Sequence, residues 1–269
     1  IDMKIMAAEY GFQGFIAALT SMNCLNNPLG EGVHTITKVF EETPRLRTLC
    51  GLEEGVEHVD WSNSKKGPAD VALLAAELHA GRAVAAVARL SLCGNMITGT
   101  KYDGGWKYDL DLSGLVSLCD ALLALKNPIE LDLSNCYLSV KGVNPVAKAI
   151  SAGAVLNSLK CANNPGMVGK LDDYGDLETP DAHAEVFKEL TDSLKTSQVT
   201  EADFSSCGIG PVALGHLGEW VREARAAVAR LSLSSNRITD YGKDLSGLKA
   251  LCEALLNLKN PISLDLANC

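Results

Sequence analysis

The chain has 269 residues, of which 47% are hydrophobic and 5% aromatic, so aliphatic side chains must fill its core. Its formal net charge is -9. Nucleic-acid-binding proteins present basic patches to phosphates, so this charge argues against a nucleic-acid partner and favours a protein partner with a basic patch. No stretch predicts a membrane span, a signal peptide or a lipid-attachment site, so we expect no membrane partner.

Eight copies of one short pattern run along the chain. With few exceptions, apolar residues stand at positions 1, 4, 6 and 11 of each copy, and Asn, Ser or Cys stands at position 9. The clearest copies are V-A-R-L-S-L-C-G-N-M-I from Val87 and V-A-R-L-S-L-S-S-N-R-I from Val228. A unit this short cannot bury its own apolar face and must stack on its neighbours. The copies begin at Leu19, Val56, Val87, Pro128, Leu156, Val199, Val228 and Pro261.

The alternation of positions 4 and 6 predicts a short strand with one buried face in each copy. Position 9 then falls in a turn, where an Asn side chain can bond to backbone groups that the bend leaves unpaired, and Ser or Cys can do so more weakly. The residues at position 9 are Asn27, Ser64, Asn95, Cys136, Asn164, Cys207, Asn236 and Cys269.

A helical pattern follows most of the strands. Apolar residues at helical spacing predict helices over 115–125 and 248–258, with Ser113 and Ser246 as N-caps. Further helices are expected near 68–80, 142–152, 182–195 and 211–225. Each unit is therefore predicted to consist of a strand, a turn, a helix and a return.

A longer period is also present. A-A-V-A-R-L-S-L occurs at 85–92 and 226–233, D-L-S-G-L at 111–115 and 244–248, and L-K-N-P-I at 125–129 and 258–262. We interpret residues 1–269 as a single repeat array made of two duplicated blocks, 15–151 and 152–269. Because the chain starts at Ile1 and ends at Cys269 inside a copy of the pattern, we expect it to be a fragment of a longer protein.

The pattern resembles the leucine-rich repeat L-x-x-L-x-L-x-x-N/C-x-L, and the long units resemble the ribonuclease-inhibitor-like subclass. This resemblance implies an α/β fold: a right-handed β/α solenoid, or horseshoe, with parallel strands on its concave face and helices on its convex face. Lys66, Gly166 and Ala202 depart from the pattern, so local irregularity is expected in the second, fifth and sixth copies. Residues 45–55 fit the pattern poorly.

Positions 3 and 5 of each strand should point away from the core, onto the concave face. Many of them are charged, with both signs present. Two interpretations stay open: a mixed-sign surface that selects a complementary protein, or a solvated face that carries charge for solubility. The candidate partner-binding residues are Asp60, Arg89, Glu130, Asp132, Lys160, Glu201, Asp203, Arg230 and Asp265.

Two insertions interrupt the repeats. Residues 99–109 contain Tyr102, Trp106 and Tyr108, which suit an interface anchor. The alternative, which we favour slightly, is that Trp106 folds back as a cap over an exposed edge of the array. Residues 167–181 are acidic, but their spacing does not match a calcium-binding EF-hand loop, so a solvated loop is favoured.

The nine cysteines form no C-x-x-C pair and no zinc-site spacing, so we expect reduced thiols in a cytoplasmic protein and no metal site. Cys93 is expected to be the most exposed thiol, and Cys119 and Cys252 are expected to pack within helices.

Sequence motifs for nucleotide binding, nucleophilic hydrolysis or metal-dependent proteolysis are absent, so we predict neither catalysis nor a cofactor. The predicted function is a non-catalytic protein–protein interaction scaffold. The resemblance leaves two alternatives: a regulatory GTPase-activating-type leucine-rich repeat protein, or the sensor region of a larger nucleotide-binding receptor.

Overall fold

A computed structural model describes residues 19–269, so residues 15–18 of the first predicted block lie outside it. The described chain folds as an α/β protein with a seven-stranded sheet, seven α-helices and two small hairpins. The helices are α1 (Gly32–Glu42), α2 (Pro68–Ala80), α3 (Ser113–Leu122), α4 (Val140–Ser151), α5 (Ala184–Lys195), α6 (Pro211–Glu223) and α7 (Ser246–Leu256). The strands are β1 (His58–Asp60), β2 (Arg89–Ser91), β3 (Lys101–Tyr102), β4 (Trp106–Lys107), β5 (Ile129–Asp132), β6 (Leu156–Lys160), β7 (Lys170–Leu171), β8 (Leu177–Thr179), β9 (Glu201–Asp203), β10 (Arg230–Ser232) and β11 (Ser263–Asp265).

The main sheet has the order β1-β2-β5-β6-β9-β10-β11, and each strand pairs in parallel with the next strand of the repeat. The predicted alternation is confirmed in the second to eighth copies, because the position-4 residues stand side by side in register beneath the sheet. From β1 to β10 they are buried. The first copy forms only isolated bridges at Ser21 and Asn23. The position-4 row is Val59, Leu90, Leu131, Leu159, Ala202, Leu231 and Leu264.

The segment that fits the repeat poorly adds a further rung before β1. The Met22 amide donates to the Thr48 carbonyl at 2.9 Å, and the Gly51 amide donates to the Met22 carbonyl at 3.0 Å. The buried Glu77 carboxylate of α2 holds this rung, since it accepts hydrogen bonds from the Thr48 hydroxyl (2.8 Å), the Leu49 amide and the Cys50 amide (2.6 Å). The irregular sequence is therefore an integral part of the fold.

The helix predictions are confirmed in position but not in their caps. The helix predicted over 68–80 has those bounds, and the other predicted helices are found within a few residues, whereas α1 was not predicted. Ser113 and Ser246 are the first residues of their helices and not their N-caps. The Asp111 carboxylate accepts from the Ser113 amide at 2.9 Å, and Asp244 does the same for Ser246 at 2.8 Å, because an Asp side chain readily bonds the backbone two residues on.

Asparagines at position 9 tie neighbouring repeats together. Asn164 is fully buried, and its Nδ2 donates to the Leu133 carbonyl of the preceding repeat at 2.9 Å. Its Oδ1 accepts from the amides of Cys136 (3.1 Å) and Leu138 (3.0 Å). One side chain thus satisfies the turn groups of its neighbour, as such buried groups require. The same arrangement joins Asn95 to Trp61 and Lys66, and Asn236 to Phe204, Cys207 and Ile209.

Cysteines at position 9 donate the corresponding hydrogen bonds in the alternate repeats. We call the whole set of hydrogen bonds from position 9 to the preceding repeat the ladder. The thiol of Cys136 donates to the Leu92 carbonyl at 3.2 Å, and that of Cys207 donates to the Cys161 carbonyl at 3.1 Å. Burial raises the pKa of both thiols to about 12, which keeps them protonated and able to donate. The hydrogen bonds therefore run from each repeat to the one before it through most of the array.

Two glycines allow neighbouring helices to pack closely against each other. A Cβ atom on Gly114 of α3 would lie 2.2 Å from the Pro68 carbonyl oxygen at the start of α2, and one on Gly247 of α7 would lie 2.0 Å from the Pro211 carbonyl oxygen of α6. Only a residue without a side chain allows this approach. The contact accounts for the glycine of D-L-S-G-L in both blocks.

Replacement of Asn164 by Ala should destabilise the protein by about 3 kcal/mol, because two amides and three carbonyls lose their buried partner. Urea denaturation followed by circular dichroism measures this change. The control is Asn260→Ala, at an exposed position, which should change stability by less than about 0.5 kcal/mol. Equal effects of the two substitutions would contradict the role given to the ladder.

Gly114→Ala should destabilise the protein by about 1–3 kcal/mol, since α2 and α3 must separate to admit a methyl group. Gly215 of α6 provides the matched control, because its Cβ would meet open space. Gly215→Ala should raise stability by up to about 1 kcal/mol through its helix propensity. Thermal denaturation of the two variants tests the opposite signs.

Candidate functional site

The register of the sheet places the residues of positions 3 and 5 in two straight rows on the face opposite the buried position-4 side chains. We call this surface the strand face. All nine predicted partner-binding residues of the strands lie on it. Along the sheet from β1 to β11, the position-3 row is His58, Arg89, Glu130, Ser158, Glu201, Arg230 and Ser263. The position-5 row is Asp60, Ser91, Asp132, Lys160, Asp203, Ser232 and Asp265.

The charges on the strand face are symmetric about β6. The Lys160 of this strand stands between Asp132 and Asp203, and its Ser158 stands between Glu130 and Glu201. One strand further out on either side, β2 and β10 have the same sequence, Arg-Leu-Ser. The centre of the face is therefore acidic around one lysine, with an arginine at either flank.

The first arginine is already paired. Arg89 Nε lies 2.8 Å from Glu130 Oε2. The hydrogen bond from Arg89 lowers the pKa of the Glu130 carboxyl below its ordinary value, and the same contact raises the pKa of Arg89. Arg230 is the equivalent residue of the second block, but Ser263 occupies the place next to it where Arg89 has Glu130. The two halves of the strand face therefore differ in charge pairing.

Four position-5 aspartates also have a structural role that the sequence reasoning missed. In each case one carboxylate oxygen accepts the amide two residues on, at 2.9–3.0 Å, and so closes the turn after the strand. The D-x-S sequence at three of these four strand ends is the signal that could have revealed this. The four bonds join Asp60 to Ser62, Asp132 to Ser134, Asp203 to Ser205, and Asp265 to Ala267.

A shallow depression of about 430 Å³ lies on the second half of the strand face. Its lining includes Lys160, Glu201, Asp203, Arg230 and Asp265, so the structure brings together five of the predicted residues. Asp60, Arg89, Glu130 and Asp132 lie outside this lining, on the first half of the face.

The two insertions form hairpins that pack against each other. The Trp106 amide of β4 donates to the Asp173 carbonyl at 3.2 Å. A Cβ on Gly175 would lie 2.9 Å from Tyr108 Oη and 3.0 Å from Trp106 Cδ1. Both insertions follow strands of one parallel sheet, which explains why they meet at the same edge. The predicted solvated loop at 167–181 therefore forms the β7–β8 hairpin. We call the two packed insertions, residues 99–109 and 167–181, the rim.

The aromatic residues of the rim have different surroundings. Trp106 stacks on Tyr137 with centroids 5.3 Å apart and on Tyr108 at 6.3 Å, so it is partly buried inside the rim. Tyr102 packs edge-on against Trp106 and is 60% exposed, while Tyr174 of the other hairpin is 78% exposed. Trp106 and Tyr108 thus hold the rim together, and Tyr102 and Tyr174 present its aromatic surface.

Each insertion also ends in an aspartate that caps a helix of the next repeat. Asp109 accepts from the Ser139 hydroxyl (2.6 Å) and the Gly142 amide (2.9 Å) at the start of α4. Asp181, taken from the sequence as part of a solvated acidic loop, accepts from the Gly210 amide (2.8 Å) and the Val212 amide (2.6 Å) at the start of α6. A carboxylate at a helix N-terminus satisfies orphan amides and complements the helix dipole.

All nine cysteines are free thiols. Two predictions about them were wrong, since Cys252 and Cys269 are exposed while Cys93 is only partly so. The exposure of Cys252 follows from its position on α7, because no helix of the described chain follows α7, whereas α4 follows α3 with its buried Cys119. Within residues 19–269, no group of three or more His, Cys, Asp or Glu is arranged to hold a metal ion.

No helix among the described residues has the length and apolar character needed to cross a membrane. The chain matches no protein-family model and no curated protein.

Replacement of Arg89 by Gln should raise the pKa of Glu130 toward its ordinary value, since the donor that stabilises the carboxylate is lost. The folded pKa of Glu130 is lowered, so the ion pair stabilises the protein above the unfolded-state pKa of Glu130, and this contribution is lost as pH falls through the folded value. Carboxyl NMR titration of Glu130 in both proteins measures the shift. Arg230→Gln is the control and should leave this pKa unchanged.

Proposed function

We propose that this chain is a leucine-rich repeat protein of the ribonuclease-inhibitor-like kind, a right-handed β/α solenoid whose strand face is concave, acting as a non-catalytic protein-binding scaffold. The in-register stacking of one strand per repeat supports this architecture. The alternating Asn and Cys ladder at position 9 supports it as well.

The observation that carries the functional proposal is the pair of charged rows on a preformed surface. Helices bury the position-4 side of the sheet, whereas every position-3 and position-5 residue except Ser158 is at least partly exposed. A parallel sheet loses little conformational entropy when it binds, so such a face favours association. Charges of both signs in fixed rows select a partner with the complementary arrangement.

The rim extends this surface. Tyr102 and Tyr174 are exposed on two hairpins whose bases are fixed by Trp106, and exposed tyrosines on a rigid base suit contact with a protein partner. The net charge of -9 favours a partner with a basic patch. We assign no cofactor and no reaction to the protein.

We further place the protein in the cytoplasm. The thiols of Cys136 and Cys207 donate hydrogen bonds inside the ladder, a role that requires the reduced form. Reducing compartments maintain this form.

The proposal is tested by affinity capture with the intact chain and a variant that carries Glu130→Gln, Asp132→Asn, Glu201→Gln and Asp203→Asn. Asn keeps the oxygen that closes the turns, so the variant should fold while four charges are removed. We expect a specific partner to bind the native chain and to be lost, by at least about tenfold in affinity, from the variant.

The matched control removes four exposed acidic groups from helices α1 and α5: Glu41→Gln, Glu42→Gln, Glu185→Gln and Glu189→Gln. It changes the net charge equally and should keep the partner. A partner that is lost from both variants responds to overall charge alone. A partner that is kept by both would overturn the assignment of the strand face.

A further inference from the structure

We propose that Ser158, at the centre of the strand face, forms the floor of a socket for a single basic side chain of the partner, flanked by Glu130 and Glu201. This inference rests on the proposed function, because it assigns a contact within the same binding face. It goes further by naming the chemistry that the partner must supply at that point.

The socket follows from side-chain length in the position-3 row. Ser158 is in register with Glu130 on one side and Glu201 on the other. Neighbouring strands are about 4.8 Å apart, so the two glutamate Cα atoms stand about 10 Å from each other, with only a serine between them. Their side chains are longer than that of the serine, which is 4% exposed. Ser158 and Glu201 line the depression on the strand face, and Glu130 stands beside its edge.

The hydroxyl of Ser158 is the unusual feature of this row. Its Oγ is buried and has no hydrogen-bond partner among the described residues. Buried polar groups in folded proteins are nearly always satisfied, so an exception requires an explanation. A lysine ammonium or an arginine guanidinium has several donors and no acceptor, and it can donate to the serine oxygen and to carboxylates on both sides.

The surrounding charges favour a cation over an anion. Four carboxylates surround β6, and Lys160 is the only basic residue among them in the two rows from β5 to β9. Arg89 holds one oxygen of Glu130, and the other oxygen of that carboxylate remains for a ligand. Arg89 and Arg230 flank this acidic centre, so they oppose a run of basic residues and admit one basic side chain with neutral or acidic neighbours.

The test is an NMR titration of the full chain at low ionic strength with three blocked tripeptides, Gly-Arg-Gly, Gly-Lys-Gly and Gly-Gln-Gly. We expect the arginine and lysine peptides to shift the amide signals of Ser158 and Leu159, and the glutamine peptide to bind at least about tenfold more weakly. Equal binding of all three peptides, no binding by any of them, or shifts confined to the rim would overturn the socket.

Ser158→Ala separates this role from a structural one. The substitution removes a hydroxyl that bonds to no described residue, so the melting temperature should stay the same or rise. The affinity for the arginine peptide should fall about three- to tenfold. Ser263→Ala, in the same row but exposed at β11, is the control and should leave that affinity unchanged. A lower melting temperature for Ser158→Ala, or an unchanged affinity, would contradict the proposal.

Glu201→Gln should weaken the arginine peptide about tenfold, whereas Glu253→Gln, an equal charge change on exposed α7, should not. The outcome is distinguishable from failure of the proposed function. If the four-carboxylate variant loses its captured partner but Ser158→Ala keeps it at full affinity, the strand face binds and the socket does not exist.

Discussion

The need to satisfy backbone groups inside a stack of identical bends determines the rest of this structure. Each strand ends in a turn that passes into the interior, where water cannot bond to its amides and carbonyls. Asn95, Asn164 and Asn236 supply those bonds to the preceding repeat, and cysteine thiols supply a weaker version between them. Because every bridge reaches one repeat back, the strands are held in a common register. The two charged rows of the strand face exist only because that register is maintained.

Because of this constraint, the two sides of the sheet have different roles. Positions 4, 6 and 9 are committed to packing and to the ladder, and they vary little in character from copy to copy. Positions 3 and 5 vary freely in charge, since every residue there except Ser158 is at least partly exposed. Asp132 and Asp203 at position 5 are intermediate, because one oxygen of each closes a turn while the side chain remains partly exposed. A surface whose residues are partly fixed in this way presents charge without losing side-chain freedom on binding, and this is favourable for recognition.

The sequence was sufficient for everything that depends on the repeat period. It predicted the strands, most of the helices and the common face of the nine charged residues, because these depend on spacing alone. It did not predict contacts between residues far apart in the chain. The cap that Asp181 makes on α6 and the packing of Trp106 against the β7–β8 hairpin both join different repeats through irregular insertions. The serine caps failed for a local reason, because Asp111 and Asp244 bond the amides of Ser113 and Ser246, which then stand inside the first helical turn. Helix α1 was missed although its buried face, Val33, Ile36 and Phe40, has helical spacing.

The unsatisfied hydroxyl of Ser158 differs from the rest of the position-3 row, which follows a regular pattern. Two of the six other buried atoms without partners in the described chain have a local reason within the fold, since Glu77 and Asp109 each bond through their second carboxylate oxygen. Ser158 has no second group, and it lies on the strand face and not in the interior. Its row elsewhere contains mainly long charged side chains, and a serine there costs the sheet nothing in packing while opening a gap between two glutamates. The fold satisfies its turn groups with the same kind of side chain in each repeat. Ser158 breaks the charge pattern of its row and leaves a polar atom without a partner. A ligand can supply the missing hydrogen bond at this position.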